Sequence, residues 1–304
     1  MRSSNRLASQ SGLERPPIRC TQPGDETGIP TSSSSEPGVM AVMLGHLDIT
    51  EEPVLEAGTG TGYNAAILSA HFGADRVVSV ETDAEVAARA AAALDSTGVT
   101  PRLVIGDASA GHTPGGPYGG VIATYSVTRI PYAWVEQTRP GGILVVPLDT
   151  GLRRQFLTKL TVAADGTATG RVVGGVAFMR DRGQRVTSDD VPEIDGIETT
   201  TDLDPRDALY DHDANMFVAA HVRDVLTWTG DNDIMGAHIG LEDPTSGSWA
   251  HIGLTAPPRR VRQGGPRRLW DEIADAVLQW RDIGAPAATT ATITVTANGQ
   301  TIGY

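Results

Sequence analysis

The run Val54-Leu55-Glu56-Ala57-Gly58-Thr59-Gly60-Thr61-Gly62-Tyr63-Asn64 constrains the fold more than any other part of the chain. An apolar segment closes on three alternating glycines and passes straight into helix-forming sequence. That arrangement lets backbone approach a ligand closely at the end of a strand. A dinucleotide fingerprint would need its third glycine one residue later, where Tyr63 stands, and would aim amides at a pyrophosphate. Glu56, before the first glycine, suits a cationic ligand better than a phosphate.

The sequence around this loop alternates short apolar runs with Ala-rich segments, the pattern of repeated βα units on a parallel sheet. Strands are predicted at 53–57, 76–81, 102–106, 120–124 and 142–147, with helices at 63–72 and 84–94 between the first three. A helix from Glu36 carries Val39, Val42, Met43, His46 and Leu47 at helical spacing, with Pro37 in its first turn. After Leu148 the pattern turns antiparallel, with 156–162 and 168–178 flanking Ala164-Asp165-Gly166. Residues 188–213 hold ten acidic side chains and one arginine, read as a solvated, loosely ordered connection. Leu269, Ile273, Val277 and Trp280 predict a second amphipathic helix, and 292–303 predict strands around Asn298-Gly299. The expected division is an N-terminal arm over 1–36, a nucleotide-type α/β domain over 37–180 and an added α+β module over 181–304.

A formal net charge of −13 at 304 residues argues against nucleic acid as a partner. One cysteine, Cys20, permits no internal disulfide, and the seven histidines, His221 among them, show no paired ligand spacing, so no metal is expected. No long apolar run suggests a signal or a membrane span, and a reducing cytoplasm fits best.

Two further strand ends carry carboxylates. Glu81 lies 23 residues past Gly58 and is followed by Thr82 and Asp83, a place from which a carboxylate can accept both hydroxyls of a ribose. Gly106, Asp107 and Ala108 offer a small residue beside an acid, suited to an exocyclic amine of adenine. Either acid alone could be an ordinary helix cap. Combined with the glycine loop and Glu56, they point to S-adenosylmethionine, whose ammonium and sulfonium supply the positive charge. The predicted binding set is Glu56, Gly58, Thr59, Gly60, Gly62, Tyr63, Asn64, Glu81, Thr82, Asp83, Gly106, Asp107 and Ala108.

Residues 29–180 resemble the protein-L-isoaspartate O-methyltransferase family. The resemblance is carried by Ser35-Glu36-Pro37, Val54 to Asn64, Glu81-Thr82-Asp83, Gly106-Asp107, Ile130-Pro131 and Arg139-Pro140-Gly141-Gly142 to Val146-Pro147-Leu148. It implies a doubly wound class I methyltransferase sheet of Rossmann-like form, with S-adenosylhomocysteine as product. It also implies that Ser33, Ser34 and Ser35 lie beside the transferred methyl group. Glu36 stands where the family usually has Gln or Ala, and the roughly 120 residues after Arg180 exceed a compact repair enzyme. The segments Thr31 to Pro37, Gly247-Ser248-Trp249 and Gly265 to Trp270 look like methyltransferases that accompany ATP-grasp peptide ligases. That resemblance implies an aspartate carboxylate in a crosslinked peptide as acceptor, with the methyl ester collapsing to an aspartimide; isoaspartyl repair is the alternative. A peptide-binding module without turnover is the reading from another class.

A carboxylate acceptor needs no general base, and none stands out beside the loop. Thr124 and Tyr125, with Trp134 nearby, flank the exit of the fourth strand, where substrate walls form. Arg259, Arg260, Arg262, Arg267 and Arg268 fall within ten residues of an otherwise acidic chain. They either balance the acidic run or capture an anionic peptide, for which Arg267 and Arg268 are the expected contacts.

Overall fold

In the computed structural model, which describes residues 36–49, 52–184 and 196–304, helix α1 (Pro37–Leu47) opens with Pro37 in its first turn. Its buried side chains are Met40, Met43 and Leu47, and Val42 is exposed. The apolar stripe is therefore rotated from the one read off the sequence. The sheet sets this rotation: Gly120 is bare enough for Leu47 to press on it, and a Cβ there would lie 2.8 Å from Leu47 Cδ2.

Five strands follow in parallel: β1 (Val54–Ala57), β2 (Val77–Glu81), β3 (Arg102–Ile105), β4 (Tyr118–Ala123) and β5 (Thr138–Asp149), in the order β3-β2-β1-β4-β5. The crossover helices include α2 (Tyr63–Phe72), α3 (Ala84–Ser96) and the short α4 (Tyr132–Glu136). The order reverses at β1 and β4, which opens a crevice at their carboxyl ends. Strands β1, β2 and β4 are buried at every position, because helices cover both faces of a parallel sheet. Two antiparallel strands, β6 (Gln155–Val162) and β7 (Ala168–Val176), extend it through a turn where Asp165 Oδ1 accepts from Thr167 N at 3.0 Å.

The acidic segment is more ordered than its composition suggests. It holds β8 (Ile197–Thr201), α5 (Pro205–Leu209) and the start of α6 (His212–His221), while residues 185–195 lie outside the described part. A second sheet, β8-β12-β11-β10-β9, is completed by β9 (Leu226–Asn232), β10 (Gly236–Asp243), β11 (Ser248–Gly253) and β12 (Arg259–Gly264), all antiparallel. Helix α7 (Leu269–Asp282) packs Leu269, Trp270, Ile273 and Val277 on its Ile239, Leu241, Ala250 and Val261. The acids and arginines meet here: Arg260 Nε is 2.7 Å from Glu198, and the largely buried Arg259 is 2.9 Å from Asp204. Hydrogen bonds from Arg206, outweighing the burial that opposes them, hold the Asp204 carboxyl down at about 2.

The last two strands, β13 (Thr292–Thr296) and β14 (Gly299–Gly303), leave this module and rejoin the first sheet, β13 pairing with β7. The expected unit 181–304 is therefore not one separate module. The edge of β7 would otherwise present unpaired amides and carbonyls, and Ile293 and Val295 complete the core beneath it. Helix α6 serves both cores, sending Met216 into the first and Val218 and Ala219 into the second. No helix among the described residues is long and apolar enough to cross a membrane.

Candidate active site

The glycine loop lies at the carboxyl end of β1 and is pinned over β2, because the amides of Gly58 and Thr59 both donate to Val80 O, at 2.9 and 3.2 Å. Gly58, Gly60 and Gly62 all have positive φ, at 93°, 55° and 82°. At Gly58 the space is also taken: a Cβ would lie 2.7 Å from Thr124 Oγ1 and 2.8 Å from Tyr125 Cδ1. Gly58→Ala is accordingly expected to destabilise the protein by about 2 kcal/mol or more, since left-handed backbone alone costs about 1–2 kcal/mol for a residue with a Cβ. Differential scanning calorimetry checks this; an unshifted melting temperature would mean that the loop accommodates a side chain.

Glu56 is fully buried beneath the loop, where its oxygens accept from Asn64 Nδ2 at 2.7 Å and Ser79 Oγ at 2.5 Å. Burial raises its carboxyl to about 7, against the opposing hydrogen bonds from Ser79 and Asn64 and with help from the charge of Glu81. Both of its oxygens are engaged by the protein, and full burial withholds them from the crevice. Ser79, absent from the sequence-based set, also bonds Thr59 Oγ1 at 2.6 Å, tying β2 to the loop. The available signal was a hydroxyl within Val77-Val78-Ser79-Val80, where an apolar residue would suit a buried strand.

Glu81 closes β2 with its carboxylate fixed from both sides: Gly60 N donates to Oε2 at 2.9 Å and Asp83 N to Oε1 at 3.1 Å. Each oxygen keeps accepting capacity for a further donor. Asp83 itself serves α3 as a cap, its Oδ1 accepting from Glu85 N at 3.0 Å and Val86 N at 3.1 Å, while Oδ2 is 3.8 Å from Arg182. Asp107 likewise accepts from Ser109 N at 2.9 Å. The ordinary reading of these two acids as caps therefore holds for the oxygens so engaged. Thr82 and Tyr63 are exposed. Gly106 has open space where a side chain would be, and Ala108 is buried with its carbonyl accepting from Trp134 Nε1 at 2.8 Å. A flat ring has room beside Gly106.

Thr124 and Tyr125 leave β4 directly over Gly58. The Thr124 hydroxyl donates to the Gly58 carbonyl, and burial, reinforced by the charges of Asp181, Asp107 and Glu81, holds the Tyr125 hydroxyl protonated. Ser33, Ser34 and Ser35 lie outside the described residues. Arg267 is not a free fork for substrate: it is ion-paired to Asp243 at 2.9 Å and to Glu272, and donates to the Arg223 carbonyl. Arg268 stands at the N-cap position of α7 without a side-chain cap bond, and its buried Nη1 has no hydrogen-bond partner among the described residues. Carboxylates of the second sheet, of the turn before α5 and of α7 pair Arg259, Arg260 and Arg267, which the linear sequence could not show.

Residues 26–184 match the family model described as Protein-L-isoaspartate(D-aspartate) O-methyltransferase (PCMT). Over 153 residues the chain is 40% identical to a protein-L-isoaspartate O-methyltransferase of Methanoculleus marisnigri, covering 49% of this chain and 67% of that protein. A protein of the same name from Pyrococcus horikoshii is 36% identical over 147 residues, covering 48% and 66%. The match thus spans about two thirds of these relatives. A solved structure titled protein-L-isoaspartate O-methyltransferase aligns with 90% of this chain and 82% of its own at 22% identity and a TM-score of 0.54, a likeness of fold. That coverage reaches beyond Arg180, so the added residues have counterparts in the fold of this one structure, while the family match itself ends at residue 184.

Proposed function

We propose, from the premise that this chain belongs to the protein-L-isoaspartate(D-aspartate) O-methyltransferase family, that it methylates the free α-carboxylate of isoaspartyl residues in proteins or peptides. S-adenosylmethionine, when bound, supplies a methyl group activated on a sulfonium. The loop Gly58 to Gly62 and Glu56 are assigned to its methionine part, Glu81 to the ribose, and the space at Gly106 to Ala108 to adenine. The site fits such a ligand because the loop admits close backbone approach and Glu81 is held ready without a cation of its own.

The observation that carries the reading is that, among the described residues, the side chains packed on or beneath Gly58 offer no free base. Thr124 is committed to a carbonyl, Tyr125 is held protonated, and Glu56 is sealed beneath the loop. An amine or hydroxyl acceptor would have to lose a proton to a base, whereas an ionised carboxylate could accept a methyl group without one. The protein's part is orientation and exclusion of water, which can contribute about 7 kcal/mol or more.

The test is ester formation on paired peptides differing only in one isoaspartyl or aspartyl residue. Methylation confined to the isoaspartyl member is expected; methylation of neither would remove the reading. The narrower alternative, an aspartate in a peptide crosslinked by an ATP-grasp ligase and closing to an aspartimide, gains little support. Gly265 rests on Ser248, a Cβ there lying 2.6 Å from Ser248 Cα, and Arg267 N donates to Ser248 Oγ at 2.9 Å. Gly265 and Ser248 of those motifs pack together beside the second sheet, and Thr31 to Ser35 lie outside the described residues. The cytoplasm is the proposed compartment, on the single cysteine alone.

Replacing Ser33, Ser34 and Ser35 together by Ala is expected to lower kcat by about tenfold or more, the worth of one or two hydrogen bonds to a charged group. Cofactor affinity should move much less. A triple variant with wild-type turnover would take these serines out of the reaction.

A further inference from the structure

A cleft of about 630 Å³ opens at the carboxyl ends of β4 and β5, a size usual for ligand pockets. It is lined by none of Gly58, Gly60, Gly62 or Glu81, so it is a place distinct from the proposed cofactor site. One wall carries Thr128 and Arg129, shortly after the Thr124-Tyr125 pair, with Asp149 at the end of β5. The other is built from residues 222–226, Thr245 and residues 298–300, all beyond the segment 26–184 that matches the family.

The cleft is held open by its own bonds. Gln184 Oε1 accepts from Thr128 N and Oγ1 and from Arg129 N, at 2.8, 2.8 and 2.9 Å. Gln300 Oε1 accepts from Ile130 N at 3.0 Å, joining the last hairpin to the same loop. Arg129 reaches Asp224 on the far wall at 2.8 Å. Asp149 is gripped by Arg180, whose Nε and Nη2 donate at 2.9 and 3.0 Å. Of the lining residues, Asp149 is paired with Arg180, which is not itself part of the lining, and Asp224 with Arg129, while Arg223, whose Nη1 donates to the Gln300 carbonyl at 3.3 Å, has no ion pair among the described residues.

We propose that this cleft seats the polypeptide that flanks the acceptor residue, with an acidic side chain of that polypeptide beside Arg223. The proposal rests on the carboxyl-methylation reading. The Thr124-Tyr125 pair that covers Gly58 lies three residues before Thr128 in the chain, so the cleft wall is continuous in sequence with the loop over Gly58. Its walls mix apolar side chains such as Leu148, Val225 and Ile302 with polar ones such as Thr128, Thr245 and Asn298, which suits a peptide of mixed character.

Thr245→Trp would fill the cleft and Arg223→Glu would reverse its charge. The measurements are KM for a three-residue and a twelve-residue isoaspartyl peptide, the longer with flanking glutamates, and anisotropy of the labelled longer peptide with enzyme. The wild type should prefer the longer peptide by about tenfold or more, the worth of a charge-assisted contact. Both variants should erase most of that preference and weaken binding in parallel. Methylation with the preference retained in both folded variants overturns the cleft and leaves the carboxyl reading standing. Binding lost in the variants without methylation by the wild type keeps the cleft as a peptide seat and removes the carboxyl reading. Neither binding nor methylation overturns both. If Thr245→Trp does not fold, Arg223→Glu decides.

Discussion

Between pH 4.5 and about 7 the folded ligand-free protein is expected to lose stability through Glu56, by about 3 kcal/mol at 1.36 kcal/mol per pKa unit. The sign follows from proton binding. In this window the native state holds the Glu56 proton and the unfolded chain releases it, so the contribution is complete below 4.5 and fades as pH rises through about 7. Glu56→Gln removes the titration and keeps an amide that can still bond in the pocket. Denaturant unfolding of both proteins across the window isolates the effect from the histidines, because only the difference between them counts. A difference that stays constant with pH would mean that Glu56 titrates normally. A cationic ligand over the loop favours the ionised form, so affinity for S-adenosylmethionine should rise with pH over the same range. Calorimetry in buffers of different ionisation enthalpy would detect the released proton.

Glu81→Ala is expected to weaken binding of S-adenosylmethionine and S-adenosylhomocysteine by about 1.5–3 kcal/mol, roughly ten- to a hundredfold. Two losses combine. One is the charge-assisted contact to the ribose; the other is the anchor that Glu81 gives to Gly60 N and Asp83 N, at 2.9 and 3.1 Å. Glu81→Gln separates them, since its single carbonyl oxygen can still receive one amide but brings no charge. Titration calorimetry on folded variants is the check. Equal affinity in wild type and Glu81→Ala would remove Glu81 from the cofactor site.

The first three strands of the parallel half were legible nearly to the residue, whereas β5, read at 142–147, runs from Thr138 to Asp149. Tyr63–Phe72 is helix α2 as read, and β1, β2 and β3 begin or end within a residue of their predicted bounds. Such agreement follows because a buried parallel strand must be apolar throughout and a glycine loop must be glycine. Both demands are local, so both are written locally. The ligand class was legible for the same reason, from three glycines and two carboxylates at strand ends. What only the tertiary structure decided depends on partners far apart in the chain. Glu56 proved to be bonded to Ser79, 23 residues away, rather than exposed to the crevice. Arg260 found Glu198 and Arg267 found Asp243, so that these two arginines of the apparent anion-binding patch are held in internal pairs. The last hairpin returned to β7 across a whole intervening module. Charge and edge pairing are satisfied by whatever the fold brings near, and a carboxylate or an open strand edge carries no mark in the sequence of which distant partner will satisfy it.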